Sequence, residues 1–201
     1  MNRCSWCNLS NPLYVEYHDS EWGILNMNET YLFEMLILEI FQAGLSWECV
    51  LNKRVSFQKV YDNFDIEKVI KYDDKKINEL LNNKDIIRNK LKIKASVVNA
   101  KIFKNISLEY NGFGNYLTSF FNKYPLYEND KTTSSISDKI SKDLKMHGMK
   151  FVGSTIIYSY LQAVGLINSH EKDCFMLHYV FNYGIILMDV VKLWKKVIKF
   201  V

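Results

Sequence analysis

The stretch Thr30-Tyr31-Leu32-Phe33-Glu34-Met35-Leu36-Ile37-Leu38-Glu39-Ile40-Phe41-Gln42, followed by Ala43-Gly44-Leu45-Ser46-Trp47, decides how this chain folds. Leu32, Phe33, Leu36, Ile37 and Ile40 recur at helical spacing, which predicts a helix over 30–42 with Asn28 as its N-cap. Gly44 ends it, and Ser46 caps a second helix expected to run through Trp47, Val50, Leu51 and Val55 to Tyr61. Glu39 falls between Leu38 and Ile40, on or near the apolar side. Burying a carboxylate there is costly unless it is paired or hydrogen-bonded, so Glu39 is expected to be in a structural ion pair, partly exposed, or in contact with a ligand.

The same periodicity fills the chain outward from this point. Short helices are predicted from Asp65 and from Asp73, then a long one ending near Ser107. A loop and helix follow within 112–124, then a loop over 126–133. Ser135 or Ser137 caps a helix that His147-Gly148 ends, and a strongly apolar helix runs from Phe151 to Val164 with Gly165 as its C-cap. Residues 1–29 read as irregular. Two prolines and eight glycines in 201 residues leave little to break helices, and no strand-rich region stands out. The expected class is all-α: one domain over 1–174, then an apolar tail over 175–201 suited to an extra packing helix or a partner surface.

Composition narrows the function classes. A formal net charge of +4 is a mild basic excess, compatible with a polyanionic partner. No run of 18 uninterrupted apolar residues exists, so no transmembrane helix and no membrane partner are expected. No apolar run follows Met1-Asn2-Arg3-Cys4, so no signal peptide is expected either, and the localisation is read as cytoplasmic. Four cysteines in such a compartment favour metal binding or free thiols over disulfides.

Cys4 and His18 lie near one end of the chain, and His170 and Cys174 near the other. His170 and Cys174 are four positions apart, so on a helix they would share a face and reach one metal. Cys4 and His18, from an irregular segment, could wrap round to supply the other half of a closed tetrahedral Cys2His2 site. Cys7, in Cys4-Ser5-Trp6-Cys7, is an alternative ligand.

Two further constellations stand out. Asp85-Ile86-Ile87-Arg88-Asn89-Lys90-Leu91-Lys92-Ile93-Lys94-Ala95 joins the end of one helix to the basic start of another. That pattern suggests a helix-hairpin-helix whose backbone N–H groups, with Arg88, Lys90 and Lys92, could receive a phosphate. Trp47 lies just past the turn after Glu39, and Tyr14, Tyr17 and Trp22 cluster upstream. Aromatic faces around a carboxylate form a receptor for a flat cation.

With these residues in view the chain resembles the bacterial 3-methyladenine DNA glycosylase I family, within the helix-hairpin-helix glycosylase superfamily. The matching stretches include Arg3-Cys4-Ser5-Trp6, Pro12-Leu13-Tyr14, Tyr17-His18-Asp19-Ser20-Glu21-Trp22-Gly23, Gln42-Ala43-Gly44-Leu45-Ser46-Trp47, Lys150-Phe151-Val152-Gly153-Ser154-Thr155 and Gln162-Ala163-Val164-Gly165-Leu166-Ile167-Asn168-Ser169-His170, in family order. The resemblance implies a two-lobed helical bundle whose N- and C-terminal segments are joined by one structural zinc on Cys4, His18, His170 and Cys174. It implies base recognition by Glu39 and Tyr17, stacking on Trp47, and a pocket lined by Trp6, Tyr14 and Trp22. Leu45 becomes a wedge filling the gap left by a flipped nucleotide, and the 85–93 hairpin a grip on the DNA backbone.

The implied activity is hydrolysis of the N-glycosidic bond of 3-methyladenine in alkylated double-stranded DNA by a monomer. A DNA-binding module of the same fold without turnover is the rival. The chain departs from the family in Ser169, where an Asp often precedes the ligand histidine, and in Asp85, which replaces a small residue at the hairpin. Superfamily relatives carry an Asp shortly after the last apolar helix, and none stands in Leu166-Ile167-Asn168-Ser169-His170.

Overall fold

A run such as Leu32–Phe41 is apolar almost all round, and a helix of that kind belongs in the middle of a protein. A computed structural model, which describes residues 1–177 and Tyr179, puts it there. Helix α2 (Glu29–Gln42) starts at Asn28, whose side chain accepts from Tyr31 N, and every residue from Leu32 to Phe41 is buried. The predicted stripe is therefore a complete sheath, and Glu34 and Glu39 are buried with it.

Around α2 lie α1 (Pro12–Ser20), α3 (Trp47–Leu51), α4 (Arg54–Val60), α5 (Ile66–Val69), α6 (Asp74–Asn82), α7 (Lys90–Tyr110), α8 (Phe113–Thr118), α9 (Ser135–Met146) and α10 (Ser154–Ala163). Helices α7, α8 and α10 pack directly on α2, and α9 packs along α10. The only strands among the described residues are β1 (Leu126–Tyr127) and β2 (Ile167–Asn168), a two-residue parallel ladder. The chain is mostly helical, as expected.

Four local expectations are corrected. Residues 12–20 form α1, because Asn11 caps it and Pro12 opens it with a pre-set φ. The helix expected from Ser46 to Tyr61 breaks at Asn52-Lys53 into α3 and α4. The cap of α9 is Ser134, in a reciprocal capping box with Ser137. His170 and Cys174 sit in a turn closed by Cys174 N to Glu171 O, ahead of the next helical residues rather than on one helix.

The N-terminal segment is sewn to the end of α10. Gly23 N donates to Gln162 O and Asn26 N to Val164 O. Gly165 (φ +76°) makes this approach possible: a Cβ there would lie 2.2 Å from Ile24 C and 2.3 Å from Leu25 N. Of the expected tail, Met176 and Leu177 are buried, and Phe175 and Met176 pack in a small cluster with Cys4, Cys174, Trp6 and Trp22. The body thus extends past residue 174. The remainder of the tail, apart from Tyr179, lies outside the described residues.

Candidate active site and metal-ligand cluster

The four residues from the two chain ends converge. One donor atom from each of Cys4, His18, His170 and Cys174 lies within 4.8 Å of the others, and all four residues are buried. Cys4 Sγ is 3.4 Å from His170 Nδ1; Cys174 Sγ is 3.4 Å from His18 Nε2 and 3.5 Å from His170 Nδ1. Such a set can hold one metal ion. Cys7 is outside it: its thiol donates to Tyr14 O at 3.8 Å.

Each ring is oriented from behind. His18 Nδ1 meets Asp19 Oδ1 at 2.7 Å, and Asp19 is in turn gripped by the Arg3 guanidinium. His170 Nε2 meets Trp22 O at 3.1 Å. These contacts free His18 Nε2 and His170 Nδ1 to face the cluster. Burial, with His18 next to it, holds His170 down at about 4, so its imidazole is neutral as a ligand must be. Burial also pushes the Cys4 thiol up to about 12, a penalty that a cation among the four would relieve. Ser169 does not support the cluster; its hydroxyl accepts from Gln162 Nε2 at 2.7 Å.

The cluster is coupled mechanically to a cavity. Trp22 packs edge-on to His170 with centroids 4.6 Å apart, and Trp6 lies 5.2 Å from His18 and 4.7 Å from Trp22. On their other side, Trp6 and Trp22 join Tyr14, Tyr17, Glu39 and Trp47 around a cavity of about 270 Å³. That is just below the range typical of drug-sized ligands, and suits a single base. The wall thus gathers the carboxylate and all five predicted aromatics.

Within the wall, Tyr17 and Trp47 rings lie 5.1 Å apart. Glu39 is 4 % exposed, and burial raises its carboxyl to about 8. Glu39 Oε2 and Trp47 Nε1 are both buried with no hydrogen-bond partner among the described residues. A buried acceptor and a buried donor left unpaired cost stability, the signature of groups waiting for a ligand.

The expected DNA contacts are placed differently from one another. Leu45 is 44 % exposed, on the turn between α2 and α3. Arg88 and Lys90 are exposed at the start of α7. Lys92 corrects the expectation: it is buried, and its ammonium donates to Phe41 O at 3.1 Å and Ala43 O at 2.7 Å. It ties down the last carbonyls of α2 and so fixes the Leu45 turn, leaving no ammonium for a phosphate. Asp85 is exposed, and its carbonyl accepts from Lys53 Nζ.

Sequence reasoning missed two groups. Arg54 bridges Glu21, at 2.7 and 2.8 Å, and Glu34, at 2.9 Å, tying the segment after α1 to α2 and α4. Asn129, Asp130 and Lys131 close one side of the cavity. Neither carries a local pattern, because both act through contacts distant in sequence.

This architecture is shared with proteins already characterised. The methyladenine glycosylase family matches residues 6–177. DNA-3-methyladenine glycosylase 1 of Escherichia coli (strain K12) is 41 % identical over 182 residues, covering 87 % of this chain and 96 % of the relative. A crystal structure of 3-methyladenine DNA glycosylase I superimposes with a TM-score of 0.83 at 38 % identity, covering 87 % of this chain and 98 % of that one. A variant of 3-methyladenine DNA glycosylase I in complex with 3-methyladenine superimposes with a TM-score of 0.82 at 32 % identity, covering 87 % and 96 %. On the strength of this match over nearly the whole described fold, the chain belongs to the methyladenine glycosylase family.

Proposed function

We propose that the protein is a DNA repair glycosylase that hydrolyses the N-glycosidic bond of 3-methyladenine in alkylated double-stranded DNA, the first step of base excision repair. One observation carries the reading: Glu39 Oε2 and Trp47 Nε1, unpaired and buried, in the wall of a base-sized aromatic cavity. A purine edge offers both a donor and an acceptor to such a pair. A relative of this fold binds 3-methyladenine.

The lesion leaves the stack and enters the cavity, at a cost of a few kcal/mol that damage to its pairing reduces. Leu45 fills the gap behind it. Trp47 and Tyr17 hold the ring, with Trp6, Tyr14 and Trp22 completing the pocket. Burial favours the protonated form of Glu39 at neutral pH, and a cationic ring beside it favours the carboxylate. The C1′–N9 bond breaks with its electron pair passing to the base, which leaves neutral. Water adds to C1′ and releases a proton. Glu39 and the aromatic faces act by stabilising the cation and the departing base.

The Cys4, His18, His170 and Cys174 cluster is read as a structural zinc site for one ion. Zinc at ordinary Zn–S and Zn–N lengths spans S···N edges of about 3.5 Å, which the observed separations fit. With four protein ligands it leaves no open position for chemistry. Its task is to hold Trp6 and the Tyr14–Trp22 segment against the body.

The helical body is read as two lobes meeting at the cavity, a single glycosylase domain acting as a cytoplasmic monomer on duplex DNA. The hairpin leading into α7 offers Arg88 and Lys90 to the backbone. The turn between α9 and α10 is a second grip. There Gly153 leaves the α10 N-terminus without a side-chain cap, and Lys142 and Lys145 line the adjacent groove.

Incubation with methylated duplex DNA should release free 3-methyladenine. Retention of the duplex with no base released identifies the binding module without turnover instead.

A further inference from the structure

The cavity wall contains one feature at odds with a positively charged base. Lys131 is the only lysine or arginine among the lining residues. An ammonium there repels a cationic ring unless it is neutralised or turned to another use. The first condition is met, and the side chain is placed where the second can be. Lys131 Nζ is 2.8 Å from Glu128 Oε1, and the lysine side chain is 50 % exposed, at the mouth rather than the floor.

Glu128 is itself well fixed. It follows directly on β1, and its N–H donates to Asn168 O, extending the β1–β2 ladder. Its side chain is only 11 % exposed, and Oε2 is buried without a partner among the described residues. The anchor is therefore rigid while the ammonium it carries reaches solvent. Most of the remaining lining comes from residues of α1, α2, α3 and α10.

We propose that Lys131 is a phosphate-positioning residue: with Glu128 as its anchor, it contacts the DNA backbone beside the flipped nucleotide. A nucleotide whose base occupies the cavity must carry its flanking phosphates across the mouth. A cation held at that mouth fixes the register of the nucleotide and carries no base information. Glu128 balances its charge, so the base does not meet a bare ammonium, and prevents the lysine from folding inward. The contact rests on the glycosylase reading above.

The test compares wild type with Lys131→Gln, Lys131→Arg and Glu128→Gln on methylated duplex DNA across a salt series. In Lys131→Gln the slope of log affinity against log salt should fall by about one and KM rise several-fold, with the loss on KM rather than kcat. Lys131→Arg should recover most of the loss. Glu128→Gln should weaken duplex binding while the slope stays near that of wild type, because the cation remains but is unanchored. An unchanged slope and KM in Lys131→Gln overturns the proposal. So does a failure of Lys131→Arg to restore binding in a protein whose circular dichroism and melting match wild type. If wild type releases no 3-methyladenine, the glycosylase reading fails; a slope change in Lys131→Gln then still separates the backbone contact from that failure.

Discussion

At the residue scale, Glu39 is where folding and function conflict. Its folded carboxyl is raised from 4.5 to about 8 by burial. The folded state therefore holds a proton that the unfolded chain releases, so stability is greatest below about pH 4.5 on this account and is lost as pH rises through 8. The limit is on the order of 5 kcal/mol. Glu39→Gln should flatten the dependence and raise the melting temperature at pH 8.5, while excision drops about 100-fold. A melting series at pH 6 and 8.5 with a base-release assay checks both, and full activity in Glu39→Gln would remove it from the site. Lys92 is the complementary case. Lys92→Met should cost about 1–3 kcal/mol by leaving the Phe41 and Ala43 carbonyls unpaired. It should lower excision through a loosened Leu45 turn, leaving the salt slope of DNA binding as in wild type. A slope reduced by one would instead return Lys92 to the DNA surface.

At the scale of elements, most helices were legible. Asn28, Ser46, Asp65 and Asp73 cap where expected, because a cap is a local device made by one side chain and the N–H groups just after it. Helix α1 was not legible: its aromatic residues pack on partners supplied by α3 and by the segment before it, Tyr17 on Trp47 and Tyr14 on Trp6, so no clean stripe marks it. Gly165 belongs to this scale. A Cβ there meets backbone, which cannot move aside as a side chain can. Gly165→Ala should destabilise by about 3 kcal/mol or more, and limited proteolysis should then cut within 22–28 first. Uniform resistance of that segment would mean the strands of contact at Ile24 and Leu25 are replaceable.

For the whole molecule, the cluster of Cys4, His18, His170 and Cys174 brings together segments more than 150 residues apart. Metal analysis should find one zinc per wild-type chain and little in Cys4→Ser. Chelation should lower the melting temperature by 10 °C or more, on the order of 3 kcal/mol for a chain of this size. It should also weaken 3-methyladenine binding, because Trp6 and Trp22 rest on the ligand rings. Unaltered base affinity in metal-free protein would uncouple the cluster from the pocket. At this scale too, Arg88→Ala and Lys90→Ala should each reduce the salt slope of duplex binding by about one, read by a fluorescence titration.

The sequence by itself determined the mostly helical class, the caps at Asn28, Ser46, Asp65 and Asp73, the central helix, and which cysteine, histidine and aromatic residues come together. All of these follow from residue type and short-range spacing, or from motifs in a fixed order. Tertiary structure decided how they meet. It folded Lys92 under α2, brought Asn129–Lys131 to the cavity, turned His170 and Cys174 together through a loop, and left Glu39 Oε2 and Trp47 Nε1 unpaired. The reason is physical. Burial and pairing are properties of the space between elements, and a lysine two residues from another in sequence, as Lys92 is from Lys90, can face a neighbouring helix end while the other faces solvent.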